Sequence, residues 1–121
     1  MFQEVKEFLP VSGDDYDAQI IRQIKAAALD LTTSAEIVLP GTIDITRTQD
    51  VQTGTWTVTD NSTLTDDLVI TAIAAWCSMM IGNPPNADFL KKAYESLKGQ
   101  LRLSASYTSY GGETDEDADG D

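Results

Sequence analysis

The stretch from Leu68 to Ile81 constrains the fold most, because its residues include no charge, proline or glycine. Apolar side chains recur at helical spacing on one side, at Leu68, Val69, Ala72, Ile73, Trp76 and Met80, and on the other, at Ile70, Ala74, Cys77 and Ile81. A helix that is apolar all round is either buried by neighbours or spans a membrane. A span needs about 20 apolar residues, and this shorter run directly follows Asp66 and Asp67. We therefore predict a central core helix around which the remaining segments pack.

The charge of the chain restricts its partners. The 121 residues, enough for one domain, carry 8 Lys and Arg against 20 Asp and Glu, for a net charge of −12. Six of the acids fall within residues 113–121. Affinity for a nucleic-acid backbone comes from cations that neutralise phosphates, so we do not expect the free chain to bind the backbone of DNA or RNA.

Two amphipathic helices are predicted before the apolar stretch. The first runs from Phe2 to Leu9, with an apolar face of Val5, Phe8 and Leu9, and ends before Pro10. The second runs from about Asp15 to Ala35 and has a stripe at Ile20, Ile21, Ile24, Ala27, Ala28, Leu31 and Ala35. Asp14 is the expected N-cap of the second helix.

The pattern changes to alternation between these helices and the apolar stretch. Residues 42–48 and 55–59 alternate and are rich in threonine and β-branched side chains, which predicts a β-hairpin insertion over residues 42–60. An isolated hairpin is barely stable, so its side chains must pack on the helices or on another subunit, and both alternatives stay open. The candidate subunit contacts are Ile43, Ile45, Arg47, Trp56 and Val58.

A fourth helix is predicted after the break at residues 82–86. Its apolar face comprises Phe89, Leu90, Ala93, Tyr94, Leu97 and Leu101, and its lysines, Lys98 among them, lie outside this face. The predicted architecture is thus mainly α, a four-helix domain over residues 1–103 with a central buried third helix. Residues 104–121 form a polar to acidic extension that cannot bury enough to order itself. Within it Tyr107 and Tyr110 are potential anchors for a partner.

Catalytic machinery is not visible in the sequence. The chain has no histidine to activate a serine or cysteine nucleophile, and its single Cys77 lies in apolar surroundings that make a thiol inert. Asp14, Asp15 and Asp17 lack the spacing of a calcium loop and are expected to cap a helix. We predict no catalytic, metal or cofactor site and no enzymatic activity. No signal peptide is apparent at the N-terminus, and assembly in a cytoplasm is expected.

The order of these parts resembles the head–tail connector, or adaptor, proteins of long-tailed bacteriophages and gene transfer agents, which are also described as DNA-packaging proteins. The likeness covers residues 2–103 and rests on the order and spacing of motifs that are weak one by one. The matching residues are Val5 to Leu9, Gly13 to Asp17, Ile20, Ile21, Ile24, Ala27 and Ala28, Ala72, Ile73, Ala75 and Trp76, and Tyr94, Leu97, Leu101 and Arg102. The run from Cys77 to Met80 departs from the polar residues that family members often carry there.

This resemblance implies a structural subunit in the neck of a virion or phage-like particle. The subunit would join a homo-oligomeric ring, usually a dodecamer, under the portal protein, extend the DNA channel and receive stopper or tail-completion proteins. DNA would pass through the lumen without specific binding, and no membrane is involved. The residues expected at the portal are Leu97, Leu101, Arg102, Tyr107 and Tyr110.

Two other functions compete with this one. A small acidic binding module or DNA mimic that inhibits a nucleic-acid enzyme fits the net charge of −12, although the acids cluster at one end of the chain. A hydrolase with an acidic dyad would need machinery that the sequence does not display.

Overall fold

Four helices and one two-stranded hairpin make up the described part of the chain. The computed structural model describes residues 1–11, 13–81 and 84–104. In chain order the elements are α1 (Phe2–Glu7), α2 (Asp17–Thr33), β1 (Ile45–Gln49), β2 (Trp56–Asp60), α3 (Asp67–Met80) and α4 (Ala87–Leu103). The α-rich class and the hairpin between the second and third helices are confirmed.

The apolar stretch forms α3, which packs against α1, α2 and α4. Its N-terminus is capped by Asp66, whose Oδ1 accepts a hydrogen bond from the Val69 amide at 3.0 Å. Val69, Ile73 and Cys77 are completely buried. The prediction of a central core helix is therefore confirmed along most of its length.

Burial of α3 is incomplete on one side. Thr71, Ala75 and Met79, one turn apart, are half-buried, as is Trp76, and the Met80 side chain is 47% exposed. Three neighbouring helices do not enclose a fourth completely, so one strip of α3 faces solvent. The expectation of burial all round the helix is wrong here.

The start of α2 also differs from the prediction. The helix begins at Asp17 after the N-cap residue Tyr16, and no side chain caps it. Asp14 contributes only its carbonyl, which accepts from the Asp17 amide at 3.2 Å. The Asp17 carboxylate is instead buried against Lys6 Nζ at 2.8 Å. This ion pair links α1 to α2, and such a cross-helix contact is invisible in the local pattern of acids.

The inner faces of α1 and α2 follow the predicted spacing with one exception. Ile20, Ile24, Ala27 and Leu31 are completely buried, and Phe2, Val5 and Leu9 pack against the same core. Phe8 is 57% exposed because α1 ends at Glu7 and the following turn places Leu9 inward.

Helix α4 covers α3 with a narrower face than its sequence suggests. Tyr94 and Leu101 are buried, whereas Phe89, predicted on the same face, is 68% exposed. Lys98 was expected in solvent, but its Nζ lies 3.2 Å from Asp30 Oδ2 on α2. The outer face of α4 therefore offers an aromatic side chain, and its inner face contains a charged contact.

Candidate interaction surfaces

The hairpin has two chemically different faces. Its strands pair antiparallel from Ile45 opposite Asp60 to Gln49 opposite Trp56. Side chains alternate between the faces of a strand, so one face carries only exposed threonines, at Thr46, Thr48, Thr57 and Thr59. The opposite face carries Ile45, Arg47, Trp56 and Val58, and it turns toward the helices through the buried Ile45.

Hydrogen bonds and glycine residues determine the backbone conformation at the tip and the base of the hairpin. At the tip, Asp50 Oδ1 accepts from the amide of Gln52 at 2.8 Å, and Gly54 takes the left-handed conformation that closes the loop. At the base, Gly41 lies so close to the returning chain that a Cβ there would come within 2.7 Å of the Leu64 backbone. Glycine is required at this crossing because any side chain would collide with main-chain atoms.

Asp60 fastens the hairpin to α1. Its Oδ2 accepts from the Phe2 amide at 2.7 Å and lies 2.9 Å from the Met1 amino group, while its Oδ1 accepts from the Ser62 amide. Partial burial on its own would raise the pKa of Asp60, but these donors outweigh it and hold that pKa well below its usual range. The end of β2 is therefore anchored by a carboxylate that stays ionised.

Arg47 and Trp56 form the one aromatic and cationic pair on the hairpin's inner face. The guanidinium carbon lies 3.8 Å from the centroid of the Trp56 ring, within the range of a cation–π contact. Arg47 Nε is buried and has no hydrogen-bond partner among the described residues. The Trp56 side chain is nevertheless 43% exposed, so the pair lies at the border between the domain and solvent.

Both strands also present unpaired backbone groups. Asn61 donates to the Asp44 carbonyl and Asp50 to the Thr55 carbonyl, which fixes the phase of the antiparallel ladder. In an antiparallel ladder, backbone groups point alternately toward the partner strand and away from it. The amides and carbonyls that point away belong to Arg47 and Gln49 on β1 and to Trp56 and Val58 on β2. Within the described ranges no backbone hydrogen bond reaches these two outer edges, and such edges are templates for pairing with another chain.

The five residues predicted at a subunit contact therefore fall into two groups. Ile45 is only 2% exposed and belongs to the core of its own chain, and the half-buried Ile43 and Val58 pack against that core. Arg47 and Trp56 remain partly accessible. The structure thus brings four of the five to one face of the hairpin, with Ile43 two residues before β1, and it buries Ile45 alone of the five completely.

The residues predicted at the portal are also divided. Leu101 is completely buried and Leu97 half-buried against the core, so neither side chain projects outward. Arg102 is exposed, and its neighbour Leu103, which the prediction did not include, is 89% exposed. Tyr107 and Tyr110 lie outside the described residues.

A polar network between α2, α3 and α4 was not predicted. The Tyr94 hydroxyl donates to Asp30 Oδ2 at 2.5 Å, and the same oxygen receives Lys98. The Tyr94 ring meets Trp76 edge-on at 5.2 Å, and Trp76 Nε1 donates to Gln23 at 2.9 Å. The pKa of Tyr94 is raised, mainly because the hydroxyl is buried and secondly because it donates a hydrogen bond to Asp30. These partners are up to 68 residues apart, and no local sequence pattern indicates such pairs.

Reactive groups are scarce in the described ranges. Burial raises the pKa of the Cys77 thiol to about 12, as its apolar surroundings predict, so the nucleophilic thiolate does not form near neutral pH. The acidic and cysteine side chains of the described residues form no cluster of three that could hold a metal ion. Each described helix falls short of the length and apolar character that a bilayer crossing requires.

Comparisons of the chain with protein-family models, with curated proteins and with solved structures returned no significant match.

Proposed function

We propose that this chain is a subunit of the head–tail connector ring in a long-tailed bacteriophage or a gene transfer agent. The subunit binds beneath the portal, extends the DNA channel and offers a platform to stopper or tail-completion proteins. The observation that carries the proposal is the hairpin, which leaves an aromatic side chain and two unpaired strand edges exposed beside a helical domain. The order of motifs over residues 2–103 supports the same assignment.

The subunit contact in this proposal uses the outer half of the hairpin. Trp56 and Arg47 supply an aromatic and a cationic group of the kind that dominates interface energies, and the outer edge of either strand can hydrogen-bond to a neighbour. In a ring this surface meets a different surface on the next copy. Such heterologous contacts close into a ring when the rotation between copies permits.

The portal contact uses the C-terminal end of α4. Arg102 and Leu103 form its exposed part, and Tyr107 and Tyr110 follow within a few residues. Leu101, expected earlier to take part, instead holds this end of α4 on the domain. The contact would join a cation, a leucine and two tyrosines in one short segment.

The charge of the chain suits a channel through which DNA moves. With 20 acidic and 8 basic residues per copy, a ring of these subunits carries a large negative charge. A negative wall repels phosphates, so DNA would slide through the lumen instead of adhering to it.

Native mass spectrometry and electron microscopy of the purified chain test the ring. Replacing residues 49–56 with an Asn-Gly turn, which closes on the hydrogen-bonded pair of Thr48 and Thr57, removes Trp56 and the tip of the hairpin but keeps Ile45 and the anchor at Asp60. We expect the parent chain to form closed rings and the shortened variant to remain a folded monomer. A parent that stays monomeric with and without portal would contradict the proposal, and capture of a basic nucleic-acid enzyme by that monomer would favour the DNA mimic.

Binding to the portal is tested separately by truncation after Ser104, which spares the buried Leu101. We expect the truncated chain to form rings but to bind portal at least about tenfold more weakly, a loss of about 1.4 kcal/mol. The control replaces Lys91 and Lys92 with glutamine at the other end of α4. Undiminished binding after truncation would refute the role given to Tyr107 and Tyr110.

A further inference from the structure

A shallow cleft between α2 and β1 is basic in an otherwise acidic protein. It has a volume of about 350 Å³ and is lined by Ala18, Ile21, Lys25, Ile45, Thr46 and Arg47. Its lining includes two cations and no acid. The larger cleft between α1 and β2, of about 470 Å³, is by contrast lined by four carboxylates and two cations, Lys6 and the Met1 amino group, both of which are ion-paired. In a chain with 20 acids and 8 bases, a cleft of this composition selects for an anionic occupant.

The two cations of this basic cleft have no anionic partner among the described residues. Neither Lys25 nor Arg47 takes part in an ion pair there, and Arg22, one turn before Lys25, is exposed and equally unpaired. The Trp56 ring holds the Arg47 guanidinium in place at 3.8 Å. A guanidinium immobilised in this way loses little further entropy when it binds a carboxylate, for which its fork of donors is suited.

The chain itself contains an anionic segment of matching chemistry. Residues 113–121 include six carboxylates and no cation. They follow the end of α4 after residues 105–112, which carry no charge. Two or more of these carboxylates can pair with Lys25 and Arg47 at once, and alanine, isoleucine and threonine side chains of the cleft can contact the backbone between them.

Distances along the helices place the segment within reach of the basic cleft. Tyr94 and Lys98 of α4 both bond Asp30 of α2, and Lys98 also reaches Ser34, one turn further. Lys25 precedes Asp30 by about 8 Å of helix, and Ser104 follows Lys98 by about 9 Å. The cleft residues Ala18, Ile21 and Lys25 lie on the side of α2 turned away from Asp30, because residues five apart are about 140° apart round a helix. The path from the end of α4 round α2 to the cleft is therefore roughly 35 Å long. Residues 105–115, fully extended, span up to about 38 Å, so the carboxylates from Asp115 onward can reach the cleft.

We propose that the acidic segment, residues 113–121, binds the basic cleft between Lys25 and Arg47 of its own chain. The short connection gives the segment a millimolar effective concentration, which is enough for the weak pairs that exposed charges form. In this position the segment lies beside Arg47 and Trp56 and competes with any partner that uses them. The binding does not depend on the proposed ring, because it takes place within a single subunit.

Nuclear magnetic resonance of the isotope-labelled chain tests this contact at concentrations where it is a monomer. Spectra of the full chain and of a chain truncated after Gly112 are compared at the amides of Ala18 and Ile21 and at the Trp56 indole. We expect truncation to shift these signals and a synthetic peptide of residues 112–121 to restore them. High salt should abolish the difference because it screens exposed charge pairs.

Two charge-neutralised variants locate the site. In Lys25→Gln/Arg47→Gln, truncation should leave the Ala18 and Ile21 amides unchanged, and the peptide should bind at least about tenfold more weakly than to the parent. The matched control, Lys91→Gln/Lys92→Gln, removes the same charge from α4 and should behave as the parent does.

Three outcomes would overturn the proposal. The cleft signals could be insensitive to truncation, or the Lys91 and Lys92 variant could be the one that abolishes the shift, which would place the segment on α4. The difference between full and truncated chains could also fade on dilution, which would show that the segment comes from a second copy. None of these outcomes bears on ring formation, which is measured separately.

Discussion

The helical domain and the hairpin are stabilised in different ways. In the helices, side chains such as Ile24, Ile73 and Leu101 are completely removed from water, and apolar burial is the dominant favourable term in folding. The hairpin buries Ile45 and is otherwise held by its ladder, its turn and the Asp60 anchor. Its outer half therefore contributes little to folding and is available for contacts with other molecules.

The largest expected effect is on the helical side of this comparison, at Leu101. Leu101→Ala leaves a cavity among fully buried neighbours and should lower the free energy of unfolding by about 2–5 kcal/mol. Leu103→Ala, two residues later on the same helix and 89% exposed, should change it by less than about 0.5 kcal/mol. Urea unfolding followed by circular dichroism measures both, and equal losses would contradict the assignment of Leu101 to the core.

The polar network across the helices comes next. Tyr94→Phe removes the hydroxyl that donates to Asp30 but keeps the ring against Trp76. A hydrogen bond to a charged group contributes about 1.5–3 kcal/mol, so the variant should lose about that much stability. Tyr16→Phe, at a half-buried tyrosine near the N-terminus of α2, is the control. A loss no larger than that of the control would show that Lys98 alone satisfies Asp30.

The Asp60 anchor of the hairpin should make the stability of the fold depend on pH. Because the pKa of Asp60 is held below its usual range in the folded chain, its ionised form stabilises the fold above the ordinary aspartate pKa of about 3.9, and this contribution is lost as the pH falls further. Asp60→Asn should therefore cost about 1 kcal/mol near neutral pH, and the difference from the parent should shrink below about pH 4. Asp44→Asn, at an exposed residue on the opposite strand at the same end of the ladder, is the control. A difference independent of pH would refute the electrostatic anchor.

The smallest effect on folding is expected at the outer half of the hairpin. Trp56→Ala removes a partly exposed ring and its contact with Arg47, and should lower stability by less than about 1 kcal/mol. The same variant should prevent ring closure in native mass spectrometry if the proposed subunit contact is correct. Thr57→Ala, the next residue on the opposite face, should affect neither. Rings of normal mass from Trp56→Ala would remove this residue from the interface.

Hydrophobic periodicity predicted the helices and strands well, but it predicted poorly which of their apolar side chains are exposed. The spacing of Ile20, Ile24 and Leu31 correctly indicated the buried face of α2, since a helix repeats every 3.6 residues whatever it packs against. The same rule placed Phe8 and Phe89 inside, where the structure has them exposed. Which of several apolar positions is covered depends on where the neighbouring helix lies, and a single helix carries no information about that.

The candidate surfaces show the same division. The alternation of residues 42–48 and 55–59 predicted the hairpin, and the assignment of Arg47 and Trp56 to a subunit contact stays a prediction. That the two stack on each other, and that Ile45 belongs to the core, depends on the register and on the packing of β1 against α2. Asp60 and Asp30 were not singled out, because their partners are far away in the chain.

By itself the sequence determined the number and order of the elements, the apolar core helix and the excess of acid, since these follow from local spacing and composition. Tertiary structure decided which side chains remain accessible and which charges meet, such as Lys6 with Asp17 and Lys98 with Asp30. The physical reason is range: backbone preference and amphipathic period act within a few residues, whereas burial and ion pairing depend on groups that only the folded chain brings together.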